Sequence, residues 1–374
     1  MHAVTKIQAV PFLDLSTTYK TLEAEWLAAI HETGARGSFI LGPHTQAFEK
    51  EFADFIGVKH AIGVANGTDS LLLSLRALGI GKGDEVITTP FTFFASAETI
   101  DMAGATPVFA DILPDSFCLD PASIRAKITA KTRAIVPVHI FGYPCEMGEI
   151  MEIAKKHKLA VVEDSAQSCG AQHNGKIVGS IGDTGSFSFY PTKVLGCYGD
   201  GGMVTTNSDA INEHIRRLRN HGAVKPFVHT EIGMNSRLDE IQAALLRIKL
   251  RHLKDDIAGR QKVAAEYTKR LSSAPVKPPA LPKNGTHVFN LYTLRLPKRD
   301  AVRQVLTDAQ IGTSQCYPRG LHLQDVYKHL GYKPGSLPVC EQACTETLSL
   351  PIYPGMPLDH VERVCEVFMG AVKS

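Results

Sequence analysis

Lys193 follows a strand-like run, Ser186 to Tyr190, and a break at Pro191. Gly196, Gly199, Gly201 and Gly202 come after it in quick succession. A second apolar run, LAVVED (159–164), ends in Glu163-Asp164, with Gln167 close behind. A third segment, ANGTDSLLL, passes through Asn66-Gly67-Thr68 into a helical pattern. Each has an ordinary use by itself, as a solvated amine, a loop carboxylate or a helix cap. Open parallel sheets gather ligands at the carboxyl ends of their strands. Set there together, the three segments offer an amine, a carboxylate and a helix start open to an anion. Pyridoxal phosphate needs that set. Lys193 would form the imine, and Asp164 would keep the ring nitrogen protonated, because opposite charges in a buried site favour each other. Gly67 lets the backbone approach the phosphate, Thr68 adds a hydroxyl and an amide, and Ser188 adds a second hydroxyl. The glycines after Lys193 would let the chain turn beneath the ring.

The elements that must position these residues follow from hydrophobic patterning. Strand candidates lie at 60–65, 85–90, 106–112, 133–140, 159–164, 185–190 and 201–206. Several are β-branched and nearly continuous, as strands buried on both faces are. Segments such as TDSLLLSLRALG and MGEIMEIAKKHK repeat apolar residues at helical spacing between them. The alternation predicts an α/β fold, a largely parallel sheet between helices. A long helix is expected over 236–271, with Ser236 and Asp239 as a capping box. The Pro-rich stretch 274–286 reads as a linker or domain edge. HVFNLYTLRL then alternates like a half-exposed strand, followed by two helical segments. We expect a large domain over 1–255, including an N-terminal arm, and a smaller α+β domain over 256–374.

Composition narrows the function classes. The 374 residues carry a net charge of +2 and 44% hydrophobic residues, with basic side chains scattered rather than striped. That argues against a nucleic-acid partner. No run of about 18 apolar residues exists, so no membrane span is expected. The opening MHAVTKIQAVPFLDLS does not read as a secretory leader, which points to the cytoplasm. Eight dispersed cysteines form no CxxC pair and read as reduced, mostly buried thiols. The histidines show no metal-ligand spacing. GIGKGDEV (79–86) lacks the spacing of a nucleotide-phosphate loop and reads as a helix end turning into a strand.

The segments ANGTDSL, VVEDSAQSCGA, GSFSFYPTKVLGCYGDGG, RNHG and GMNSRLDEIQAALL resemble the DegT/DnrJ/EryC1/StrS family of sugar aminotransferases. GSFILGPHTQAFEKEFADFIG and SLPIYPGM match its flanking motifs, so the resemblance runs along nearly the whole chain, in order. It implies a fold type I aminotransferase with a seven-stranded sheet, acting as a homodimer with shared active sites. It makes Lys193 the imine lysine and Asp164 the partner of the pyridine nitrogen. Gln167 would lie against the ring and Phe93 would stack on it. Gly67, Thr68 and Ser188 would hold the phosphate, with Asn235 reaching in from the neighbouring subunit. Lysine at 193, where some family members carry histidine and dehydrate instead, favours amino transfer.

The resemblance further implies the substrates. L-glutamate would donate the amino group, leaving pyridoxamine phosphate as the intermediate cofactor form, and a nucleotide-linked keto-sugar would accept it. NSRLDE, KVLGCYGDGG and RQKVAAEY resemble members acting on C-3 ketones of UDP-sugars for surface polysaccharide or lipopolysaccharide synthesis. A C-4 or dTDP-sugar aminotransferase, or a cofactor-binding regulator without turnover, are the competing readings. Arg237 is a candidate for the sugar or its carboxylate, since a guanidinium grips a carboxylate with two parallel bonds. Tyr317 and His322 are further candidate sugar contacts. CYPRGLHLQ departs from the family's HYPxPLHLQ, with Cys316 among the differences, so a different sugar pocket is expected.

Overall fold

The computed structural model describes residues 9–373. The first eight residues, on which the reading of the N-terminus partly rests, lie outside them. Seven strands form the central sheet: β1 His60–Val64, β2 Glu85–Thr88, β3 Thr106–Phe109, β4 Thr132–Val136, β5 Ala160–Asp164, β6 Thr184–Ser188 and β7 Gly202–Thr206. Every strand candidate between 60 and 206 falls on one of them. Their spatial order is β1-β7-β6-β5-β4-β2-β3. All neighbouring pairs are parallel except those of β7, which runs antiparallel to both β1 and β6. The chain leaves β6 at its carboxyl end and re-enters the sheet from that same end. It forms no crossover helix there, and a parallel return needs one. The sheet is buried on both faces, which is why its strands read as continuous apolar runs.

Two departures from expectation concern the second half of the chain. The long helix is Glu240–Arg270 and begins four residues later than expected, without a side-chain cap from Asp239. Ser236 is drawn elsewhere: its amide donates to the Arg219 carbonyl at 2.9 Å, and its hydroxyl accepts from the Ala65 amide at 3.1 Å. The strand Tyr292–Arg295 is mostly buried rather than half exposed. It pairs antiparallel with Thr347–Leu350 beneath the helices Arg299–Asp308 and Leu358–Lys373, which take its apolar side chains into a second core.

The helix Glu240–Arg270 serves both cores. Ala243, Leu246 and Leu253 pack with Phe48, Phe52 and Phe187 on the large sheet, whereas Val263, Ala264 and Tyr267 pack in the second core. Val10, far earlier in sequence, also sits in the second core. Its amide donates to the Gln310 carbonyl at 3.0 Å, and its carbonyl accepts from Gly312 at 2.8 Å. Leu321, Tyr327 and Cys340 return to pack on the large sheet side. All eight cysteines are free thiols and seven are buried.

Candidate active site

The carboxyl ends of β5 and β6 and the turn after β1 surround a cavity of about 530 Å³. Gly67, Thr68, Phe93, Ser96, Asp164, Gln167, Ser188 and Lys193 all line it. Residues up to 126 apart in sequence are thus brought to one place by sheet topology.

The helix Gly67–Ala77 aims its start at this cavity. Asn66 caps it, with its side chain accepting from the Asp69 amide at 2.8 Å and its carbonyl from the Ser70 amide at 3.1 Å. The amides of Gly67 and Thr68 are left without a partner among the described residues, as the first turn of a helix leaves them. Ser188 lies directly alongside, for a Cβ on Gly67 would sit 2.6 Å from the Ser188 Cβ. A Cβ on Gly202 would sit 2.3 Å from the Asn66 carbonyl oxygen. Close approach, rather than loop flexibility, is what these glycines supply. Two free amides, two hydroxyls and a helix start make a fitting cradle for a phosphate.

The two acids at the end of β5 have different surroundings. Glu163 accepts from the amides of Gly179 at 2.9 Å and of Ile181 and Gly182 at 2.7 Å, and it meets His139 Nε2 at 3.0 Å. His139 Nδ1 accepts from the Cys145 amide, so Nε2 carries the proton and donates to Glu163. Burial would raise the Glu163 pKa, but the His139 bond and these amides hold it low. Glu163 is therefore a fixed internal anchor. Asp164 faces the cavity instead, and burial raises its pKa against the pull of Ser96, the Ala166 amide and Lys193.

Ser96, unmarked in the sequence reading, donates to Asp164 Oδ2 at 2.7 Å. With its one proton so committed, Ser96 accepts from Thr92 across 3.1 Å. The two hydroxyls in TFFAS, four residues apart at a helix start, were the signal available for this chain. Lys193 is half-buried, and its amine has no hydrogen-bond partner among the described residues. Burial lowers its pKa, and Asp164 opposes that shift.

Gln167 is held at both ends. Its Oε1 accepts from the Phe141 amide at 2.9 Å, and its Nε2 donates to the Tyr317 hydroxyl at 3.0 Å. Phe141 adopts φ 58°, an uncommon left-handed conformation for a bulky residue, and this turns its amide inward. Phe93 is 60% exposed at the mouth of the cavity, where a ring could lie against it. Tyr317 lines an adjoining groove of about 450 Å³ that shares Thr92 and Phe93 with the cavity.

Four expected site residues do not line the cavity: Tyr317, in the adjoining groove, and three that lie elsewhere. His322 is buried 3.2 Å from Glu341, edge-on to Tyr332, with Nδ1 unpartnered in the core. It lines neither the cavity nor the adjoining groove. Arg237 donates to Asn220 at 3.2 Å and forms no ion pair among the described residues. Asn235 is exposed on the outside of its own chain. Among the described residues, no three or more His, Cys, Asp or Glu side chains gather as a metal site, and no helix is long and apolar enough to cross a membrane.

The description of the DegT/DnrJ/EryC1/StrS aminotransferase family matches residues 20–369. A protein of Geobacillus stearothermophilus named pleiotropic regulatory protein is 46% identical, over 96% of this chain and 97% of its own. The UDP-N-acetyl-3-dehydro-alpha-D-glucosamine 3-aminotransferase of Acidithiobacillus ferrooxidans is 43% identical, over 97% of this chain and 98% of its own. The structure of S. venezuelae DesV in complex with a ketimine intermediate superposes with a TM-score of 0.96 at 41% identity, covering 98% of this chain and 99% of that one. Bacillus subtilis NtdA, solved with bound pyridoxamine phosphate, gives 0.91 at 29% identity, covering 99% of this chain and 87% of that one. Pyridoxal phosphate is the cofactor, and the cradle at Gly67, the acid at 164 and the free amine at 193 suit it. The chain belongs to the DegT/DnrJ/EryC1/StrS family and is a sugar aminotransferase.

Proposed function

We propose that this enzyme moves an amino group from L-glutamate to the C-3 ketone of a UDP-linked keto-sugar destined for a surface polysaccharide. The observation that carries the chemistry is the convergence of Lys193, Asp164 and the Gly67 helix start on one cavity. The sugar and its position are supported by the Acidithiobacillus relative, whose name specifies a UDP-sugar and C-3.

Bound pyridoxal phosphate supplies an electron-withdrawing ring that takes up the electron pair of a breaking C–H bond. In this reading Gly67, Thr68 and Ser188 hold the phosphate. Asp164, braced by Ser96, faces the ring nitrogen and favours its charged form. Phe93 would stack on the ring, and Gln167, fixed by Phe141 and Tyr317, would lie against it. Lys193, whose pKa burial lowers, would carry a proton between substrate carbon and cofactor.

A homodimer with shared sites is part of the proposal. The hairpin Ala223–Lys225/Val228–His229 carries Phe227 at 97% exposure, and Ile232 nearby is 88% exposed. Apolar side chains bared together on a projecting element mark an interaction surface. Asn235 lies just beyond them, free to reach a partner's cofactor.

Borohydride reduction of the yellow holoenzyme should fix the cofactor on Lys193, read by peptide mass spectrometry. Glutamate with a panel of 3-keto and 4-keto UDP- and dTDP-sugars should give turnover with the 3-keto UDP-sugars. Turnover confined to a C-4 ketone would overturn the assigned position, and absence of turnover would favour the regulator reading.

A further inference from the structure

The segment that follows Lys193 is gripped from behind by one face of the helix Glu240–Arg270. Lys249 donates its Nζ to the Gly196 carbonyl at 2.5 Å. Two turns earlier, Gln242 holds Tyr198 twice. Its Oε1 accepts from the Tyr198 amide at 2.9 Å, and its Nε2 donates to the Tyr198 carbonyl at 2.8 Å. Residues seven apart share one helix face, so the three bonds act from a single side.

The turn they hold has little slack. The Lys193 amide donates to the Tyr190 carbonyl at 2.9 Å, and the Cys197 amide to the Phe189 carbonyl at 2.8 Å. A Cβ on Gly196 would lie 2.6 Å from the Pro191 oxygen and 2.7 Å from the Tyr190 oxygen. Only three peptide links separate the Lys193 backbone from the carbonyl that Lys249 fixes.

Lys249 is an expensive way to fill this space. The residue is 9% exposed, and burial lowers its pKa while Asp256 opposes the shift. An apolar side chain of similar volume often packs in such a place with equal or greater stability. What the amine adds is a donor aimed at one carbonyl.

We propose that Lys249, assisted by Gln242, is a positioning residue for amino transfer, setting where the Lys193 amine stands relative to Asp164 by fixing the Gly196 carbonyl. This rests on Lys193 being the reacting amine. The influence passes through the backbone, since the amine of Lys249 bonds the Gly196 carbonyl rather than the Lys193 side chain.

The test compares Lys249→Met, Lys249→Arg and Gln242→Ala holoenzymes with the unaltered one. Lys249→Met should melt at an unchanged or higher temperature. Hydrogen exchange at amides 194–198 should rise at least tenfold, and the visible circular dichroism of the bound cofactor should change. In steady state kcat should fall on the order of ten- to a hundredfold with KM for the amino donor unchanged. Lys249→Arg, which keeps a donor, should regain most of the exchange protection. Unchanged exchange and dichroism in Lys249→Met would overturn the proposal, as would a lower melting temperature with no spectral change. If Lys249→Met fails to fold, Gln242→Ala decides: faster exchange over 194–198 supports the clamp, and unchanged exchange overturns it. Borohydride fixation on a lysine other than 193 would refute the assignment of the amine while leaving the exchange result to stand by itself.

Discussion

The Ser96 hydroxyl and the Asp164 carboxylate are joined at 2.7 Å across 68 residues of sequence. The Ala166 amide reaches the other carboxylate oxygen at 3.1 Å. Both oxygens are therefore held, and the acid cannot swing away from the cavity. Losing a hydrogen bond to a charged group costs about 1.5–3 kcal/mol. Ser96→Ala should weaken cofactor binding about ten- to a hundredfold, measured by titrating cofactor-free protein with pyridoxal phosphate. An unchanged dissociation constant would show that the brace is unimportant.

Lys193 and Asp164 are linked electrostatically, which gives a signed pH prediction. Burial holds the amine below its ordinary 10.5, and the carboxylate works to raise it. Asp164→Asn removes that opposing charge, so the Lys193 ionisation should move lower still. Between its folded pKa and 10.5 the folded chain binds fewer protons than the unfolded chain, so this lysine's contribution to stability grows with pH across that window. In cofactor-free protein, the pH dependence of Lys193 acylation, followed by mass spectrometry, reports the ionisation directly. A midpoint at or above 10.5, or an upward shift in Asp164→Asn, contradicts the account.

Gly67→Ala should damage the phosphate cradle. The added methyl meets the Ser188 Cβ at 2.6 Å, and overpacking of this kind costs about 1–3 kcal/mol. Cofactor affinity and melting temperature should both fall. Adding Ser188→Gly removes the 2.6 Å contact, leaving the backbone Cα at 3.2 Å, and should recover part of the stability but not the affinity, because a hydroxyl has gone. A single variant with wild-type affinity would place the phosphate elsewhere.

Glu240 opens the long helix and also caps another. Its carboxylate accepts from the amides of Gly42, at 3.0 Å, His44, at 2.5 Å, and Thr45, at 3.0 Å, at the start of the helix Pro43–Ile56. Glu240→Gln should cost about 1–3 kcal/mol, the range for loss of a charged acceptor from buried donors. Denaturant unfolding measures this, and an unchanged midpoint would deny the cap any net value.

Much of this was legible in the chain. Continuous apolar runs ending in Asp164, and in Ser188 shortly before Lys193, announced strands whose ends carry chemistry, because burial on both faces leaves charged positions mainly to the strand ends. The same logic gave no purchase on His322. Its neighbours in sequence are apolar and its partner, Glu341, is 19 residues away on another helix, so nothing local distinguished a core histidine from a ligand. Ser236 and Asp239 have capping-box spacing, yet the Ala65 amide claims the serine. Tertiary partners outbid local ones in each case. Ser96 had only the spaced hydroxyls of TFFAS to mark it, because its role exists only once Asp164, at the end of β5, reaches its helix.

The helix Glu240–Arg270 contributes its first half to one apolar interior and its second half to another. A cut near residue 255 should therefore not yield two self-sufficient pieces. A fragment ending there would carry a bare stump of greasy helix, and its complement would lack a wall. Co-expressed halves cut at that point should remain insoluble.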